Sequence, residues 1–174
     1  MTRIALLVAL ACTGWPGMAQ KVRVDYDRTL AFSHYRTYQW IALPEAQPAN
    51  GQFPNQLMQE RIVRFIEDAM AAKGLKRVET GGDVLIGYQM NVTEQQQFNT
   101  VGSGWGWGWG SEFSTTTTET IYMGRLVIDI MDPRQKQLIF QGASIATISS
   151  RPQKNTKKLR KAINEIFEKY PPKP

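Results

Sequence analysis

The chain has 174 residues, 42% of them apolar and 21% charged, with a formal net charge of +6. That length is about one domain's worth, and the apolar share excludes a disordered protein. A single cysteine (Cys12) and a single histidine (His34) exclude a disulfide framework, a cysteine metal site and a histidine cluster.

Residues 1–19, MTRIALLVALACTGWPGMA, place one basic residue (Arg3) before a short apolar run, then Gly14, Pro16 and Gly17, and end on Gly17 and Ala19 flanking Met18. This is the layout of a secretory signal with cleavage after Ala19. The run is far below the ~20 residues that span a bilayer. Cys12 is a candidate lipid-bearing residue, but Leu10 stands one position off the usual lipoprotein pattern, and the alternative is that Cys12 leaves with the signal. Residues 20–174 are then expected to form one α+β domain.

In KVRVDY, Val22, Val24 and Tyr26 alternate with Arg23 and Asp25, which predicts a half-buried strand. A second, aromatic-rich strand is expected over about 35–41, followed by a Pro/Ala/Gly linker at 42–54. Met58, Ile62, Phe65, Ile66, Ala69 and Met70 form one stripe of a helix over roughly 55–73, with Gly74 placed for a left-handed cap. DVLIGYQMNV (83–92) alternates again. YMGRLVIDIMD (122–132) and KQLIFQGASIATI (136–148) are two further strands, joined by the turn Asp132-Pro133-Arg134-Gln135. A closing helix carries Leu159, Ala162, Ile163, Ile166, Phe167 and Tyr170 on one face and stops at Pro171. This order implies a largely antiparallel sheet of four to six strands with two helices on one face.

Between 93 and 120 the chain has strand character without an apolar face. It therefore extends two core strands as a polar ribbon, carrying the segment GSGWGWGWG (102–110) some 25–30 Å from the core at ~3.3 Å per residue. The register of such a ribbon is weakly specified. At its end Trp105, Trp107 and Trp109 alternate with glycine. Indoles in that place can anchor at a membrane interface, stack on a glycan or contact an envelope protein, and the competing explanation is a low-complexity loop.

Positive charge is equally local. Residues 20–149 carry 12 Lys/Arg against 13 Asp/Glu, whereas residues 150–174 carry 8 against 2. Lys154, Lys157, Lys158, Arg160 and Lys161 crowd the first turns of the last helix, where they oppose its dipole. Lys154, Lys157, Lys158 and Lys161 are candidates for anionic headgroups or lipopolysaccharide phosphates. A solvated helix face is the competing explanation, and export argues against nucleic acid as a partner.

Catalytic apparatus is sparse. His34 sits in an aromatic turn beside Ser33, and adjacent strand residues point apart. Asp25 and Asp27 share a strand face ~7 Å apart, and Asp129 and Asp132 close another strand. No phosphate loop, dinucleotide fingerprint, calcium loop or metal cluster is present in the sequence, so no cofactor and no metal is expected.

Taken in order, VRVDYDRTLAFSHYRTYQW, DVLIGYQMNV, GRLVIDIMDPRQKQLIFQGAS and IFEKYPP resemble the bacterial domain of unknown function 4136 family. Its members share an Asp-Tyr-Asp strand, a Phe-Ser-x-Tyr-x-Thr-Tyr-x-Trp segment, an Asp-led strand, a Gly-x-Leu-x-Ile-Asp strand and a terminal helix ending in Pro-Pro. The resemblance covers nearly all of the chain after the leader. It implies the α+β fold and a cell-envelope location, in the periplasm or on the periplasmic face of the outer membrane, often as a lipoprotein. It implies no catalytic residues. The expected protein is a non-enzymatic binding or structural module, with an envelope hydrolase using Asp25, Asp27 or His34, or a subunit of an envelope assembly, as alternatives.

Overall fold

The structure is a computed structural model that describes residues 21–41, 55–102 and 114–172. Its strands are β1 (Lys21–Tyr26), β2 (Thr37–Trp40), β3 (Lys76–Arg77), β4 (Val84–Gly102), β5 (Ser114–Asp132) and β6 (Gln137–Ile148), and its helices are α1 (Gln56–Ala72) and α2 (Pro152–Glu168). The leader 1–19 with Cys12, the linker 42–54 and Trp105, Trp107 and Trp109 all lie outside the described residues.

The strands form one open sheet in the order β1-β6-β5-β4-β2-β3. Its four longer strands pair antiparallel, as the turn chemistry between them requires. β2 departs from this pattern and lies parallel to both β4 and β3. A parallel neighbour needs a long crossover, and the chain between β2 and β4 supplies one through α1. The two-residue strand β3 has no sequence signature, because a pair of exposed basic residues shows no period.

α1 starts where its chemistry says it should. The Asn55 side chain accepts the Met58 N–H at 3.0 Å, which satisfies one of the helix's orphan donors. Gly74 then takes φ +82 just past the end, a conformation costly for any residue with a Cβ. α2 begins with Pro152 in its first turn.

Both helices bury their stripes on one face of the sheet. Ile62, Ile66 and Met70 of α1, Ile163 and Ile166 of α2, and Val84, Ile86, Ile128 and Ile130 of the strands are fully buried together. A bulge between Ile130 and Met131 shifts the register of β6, so the adjacent residues Ile139 and Phe140 are both buried. At Gly142 a Cβ would collide with Ile166 Cγ2, so only glycine lets α2 lie this close to β6.

β5 and β4 outrun the rest of the sheet. Their last pairing supported by β6 is Tyr122, opposite Ile148, yet β4 and β5 continue through eight further pairs, from Gln95 with Ile121 to Gly102 with Ser114. At the strand rise that is a ribbon ~27 Å long. Residues 93–98 and 117–120 are exposed along it, Phe98 to 65%. The protruding ribbon expected from the sequence is present.

Candidate functional site

Of the residues of the hydrolase alternative, Asp25 and Asp27 come together and His34 stands apart. Asp25 and Asp27 line a shallow concavity of about 300 Å³ with Gln137 and Gln141, and His34 is not part of it. Asp27 accepts the Thr29 N–H at 2.8 Å, the Thr29 hydroxyl at 2.7 Å and Gln137 Nε2 at 3.3 Å. The Thr29 hydroxyl and N–H hold its pKa below 3.8, which suits an ionised turn former and not a proton donor near neutrality. Asp25 accepts the Tyr26 N–H, and Asp129 accepts Gln141 Nε2 at 2.8 Å. His34 ends an exposed 3₁₀ turn, Phe32–His34. Among the described residues no three His, Cys, Asp or Glu side chains are grouped to hold a metal.

The residues with the strongest electrostatics serve the fold. Asp83 Oδ2 accepts the Arg36 N–H, the Thr37 N–H and the Thr37 hydroxyl, each at 2.9 Å, while the Asp83 N–H donates back to the Thr37 hydroxyl. This reciprocal clasp fastens the start of β4 to β2 and holds the Asp83 pKa below its ordinary value, the Arg36 N–H contributing most. The Asp132 carboxylate is only 4% exposed, accepts the Tyr35 hydroxyl at 3.0 Å, and closes its own turn by accepting the N–H groups of Arg134 and Gln135. Trp40 Nε1 donates to Glu67, and Tyr170 packs edge-on against Phe32, Phe140 and Phe167. These are the residues that carried the family resemblance. They act as clasps and packing.

The four candidate lysines fall into place differently. Lys154, Lys157, Lys158 and Lys161 are spaced three and four apart, so they form one stripe on α2. Lys161 pairs with Glu165 at 3.5 Å. Among the described residues Lys154, Lys157 and Lys158 form no ion pair. Lys158 Nζ instead donates to the Thr147 carbonyl at 2.8 Å, which fixes the ammonium over the edge of β6. Arg160 is set apart from the stripe, its guanidinium 4.4 Å from the centre of the Phe65 ring. The helix has no side-chain cap and no acidic residue in its first turn, so this positive charge stands unrelieved at the positive end of the dipole.

Sequence periodicity missed a groove between the helix starts and the sheet. Its lining includes Met58, Met90, Leu126, Ile148 and Leu159, with Lys158 at the rim. Met58 and Leu159 belong to the helix stripes expected from the sequence, and Met90, Leu126 and Ile148 to expected strands. A concavity depends on which core positions carry small residues, here Gly124 and Ala146, and pattern alone does not reveal that. Among the described residues no helix is long and apolar enough to cross a membrane.

Comparison with known proteins accounts for the fold. Residues 22–172 match the family described as Domain of unknown function (DUF4136). The structure of a PDZ domain protein from Parabacteroides distasonis superposes with a TM-score of 0.55 at 13% identity, over 88% of this chain and 36% of that one. The chain thus spans about a third of that protein's length. A DUF4136 family protein from Bacteroides thetaiotaomicron superposes with a TM-score of 0.51 at 12% identity, over 87% and 96% of the two chains. At such identities the likeness is one of fold. No curated protein matches the chain.

Proposed function

We propose, from the premise that the chain belongs to the DUF4136 family and that this family carries no assigned activity, that it is an exported, non-catalytic module of the cell envelope. Its ribbon presents Trp105, Trp107 and Trp109 to a membrane interface, a glycan or a protein partner. The observation that carries this reading is the length of β4 and β5. Of the eight strand pairs beyond the support of β6, residues 95–98 and 117–120 are exposed and, apart from Phe98, polar. Ordering a residue costs ~1–2 kcal/mol of backbone entropy, so a ribbon that buries little is retained for what it carries. The leader-like residues 1–19 support export, and the exclusion of His34 from the concavity that Asp25 and Asp27 share, with Asp27 held ionised by Thr29, weighs against the hydrolase alternative.

The test is tryptophan fluorescence of the purified protein titrated with outer-membrane lipid vesicles and with outer-membrane extract. A blue shift with saturable binding is expected, and replacing all three tryptophans by serine removes both without lowering Tm. An absent shift, or binding unchanged in the serine variant, refutes the reading.

A second reading is favoured by the free edges of the ribbon. Among the described residues β2 covers β4 only at Val84–Ile86 and β6 covers β5 only from Tyr122 onward, which leaves edge backbone groups of both strands for an added strand. Membership of an envelope assembly by edge pairing predicts a stoichiometric protein partner in crosslinked cells, whereas lipid or glycan contact predicts none.

A further inference from the structure

α1 and α2 lie side by side and point the same way. Arg61 Nη1 donates to Thr156 Oγ1 at 3.2 Å, and four residues further on Arg160 covers Phe65. Both helices therefore begin at the end of the sheet from which the ribbon departs. There the small residues Gly124 and Ala146, paired across β5 and β6, withdraw side-chain volume from the face that Leu126 and Ile128 fill further along. The result is an open-sided groove enclosing about 60 Å³.

The groove has an apolar interior and a cationic rim. Met58, Leu126 and Leu159 are recessed, each less than a tenth exposed. Met58 and Met90 are unbranched and polarizable, so they yield to the shape of an entering chain. Asn155, a polar residue of the lining, is spent on the Ser149 backbone, accepting its N–H at 2.8 Å and donating to its carbonyl at 2.7 Å. At the rim, Lys158 uses one N–H on Thr147 and keeps two for an anion. Lys154 and Lys157 reinforce its field, and so do the positive ends of two helix dipoles.

We propose that this groove binds a single-chain anionic amphiphile, a long-chain carboxylate, with its alkyl chain among Met58, Met90, Leu126 and Leu159 and its carboxylate on Lys158. The size favours a narrow occupant: the enclosed space falls well short of the ~150 Å³ that accommodates a benzene ring, so it takes only part of an alkyl chain, and the open side leaves room for the remainder to lie along the groove. The recession of the lining favours a monomer, since a flat bilayer does not reach below the rim. The charge selects an anion. The site lies at the root of the ribbon and does not involve the Gly-Trp segment, so it stands independently of the proposed envelope contact.

The test uses the full exported chain with ¹³C-methyl methionine, titrated with dodecanoate below its critical micelle concentration. Dodecyltrimethylammonium serves as the charge control and phosphatidylglycerol vesicles as the bilayer control. Saturable shifts of the Met58 and Met90 methyl resonances are expected with dodecanoate, with about ten-fold weaker binding of the ammonium amphiphile. Lys158→Gln removes a charged hydrogen bond and weakens dodecanoate about ten-fold. Ala146→Phe fills the groove and stops the shifts; should it fail to fold, the surface substitution Lys158→Gln decides by itself. Serine at the three tryptophans leaves dodecanoate binding unchanged, which separates this site from the ribbon tip. Unmoved methyls, equal affinity for both amphiphiles, indifference to Lys158→Gln, or shifts with vesicles alone overturn the proposal.

Discussion

Removing the Asp132 carboxylate tests whether the clasp at the far end of β5 holds the sheet together. The group is 4% exposed and accepts Tyr35 Oη at 3.0 Å, Arg134 N at 2.7 Å and Gln135 N at 3.2 Å. In Asp132→Ala the two turn amides recover water, but the Tyr35 hydroxyl, desolvated enough that its pKa is pushed up to about 12, loses a charged acceptor. A hydrogen bond to a charged group contributes ~1.5–3 kcal/mol, and the turn adds about 1 kcal/mol, for a loss of roughly 3 kcal/mol. In a domain of this size that lowers Tm by about 6–12 °C. Asp132→Asn keeps an acceptor for both amides and sets its NH₂ against a phenol oxygen that can rotate to accept, so it costs only about 1 kcal/mol. The pH dependence follows from the direction of the shift. Burial raises the Asp132 pKa, but the Arg134 and Gln135 amides, the Tyr35 hydroxyl and the Arg134 charge outweigh it and hold the value below 3.8. A carboxyl lowered in the folded state stabilises above its unfolded pKa, and that stability is lost as pH falls through the folded pKa. Urea denaturation at pH 7 and again below pH 4 should therefore show the gap between wild type and Asp132→Asn closing in acid. A double-mutant cycle with Tyr35→Phe isolates the pair. If both Asp132 variants fall within 0.5 kcal/mol of wild type (about the resolution of such measurements), or if the gap persists in acid, the clasp is not what the geometry says.

Tyr170→Phe should raise stability by about 1 kcal/mol, because the buried hydroxyl has no hydrogen-bond partner among the described residues; a lower Tm would mean that the oxygen has a partner. Gly142→Ala drives a Cβ into Ile166 and should cost roughly 1–3 kcal/mol by denaturant midpoint. Ile166→Ala in the same chain removes the colliding methyl, so the double variant should be destabilised by less than the sum of the two. Burial pushes both Tyr35 and Tyr38 up to about 12, with Asp132 adding to the first and Glu67 to the second. Their contribution to stability is complete below pH ~10 and is lost as pH rises through about 12, so phenolate absorbance from this pair should appear together with unfolding by circular dichroism. Phenolate formation near pH 10 in a still-folded protein would contradict that environment.

Much of the fold was legible because the sheet is half-buried. Val84, Ile86 and Tyr88, or Leu126, Ile128 and Ile130, alternate in the sequence since one face meets helices and the other solvent. The helix stripes were equally plain, and every residue assigned to the α2 face is buried. The parallel placement of β2 was not legible. Direction relative to β4 is set by a crossover through α1, and a strand's own pattern reads the same in either sense. β3 is too short to have a period, and the bulge that buries Ile139 beside Phe140 breaks the alternation locally. Of the candidate site, the lysine stripe and the ribbon could be found from composition. The groove could not, because Met58 and Leu159 satisfy the same periodicity whether they meet a packed neighbour or a gap.

The location of the family signature bears on what membership can transfer. Phe32, Tyr35, Thr37, Tyr38, Trp40, Asp83, Asp132 and Tyr170 all make contacts internal to the fold, and the hydrogen-bonded clasps join β2, the start of β4 and the end of β5. The ribbon, the lysine stripe and the groove lie at the opposite end of the long strands. A sequence can therefore satisfy every signature position, Gly124 and Leu126 of the groove among them, and still vary along the ribbon and the lysine stripe. Matching the signature specifies the scaffold and leaves the contacting surface to residues such as Phe98, Lys157 and Lys158, which lie outside the shared motifs. The physical consequence is a division of labour along β4 and β5. At Asp83 and Asp132 these strands are held by charge-assisted hydrogen bonds. On the ribbon side of Tyr122 they pair, among the described residues, only with each other, so substitutions there should alter binding at little cost in stability.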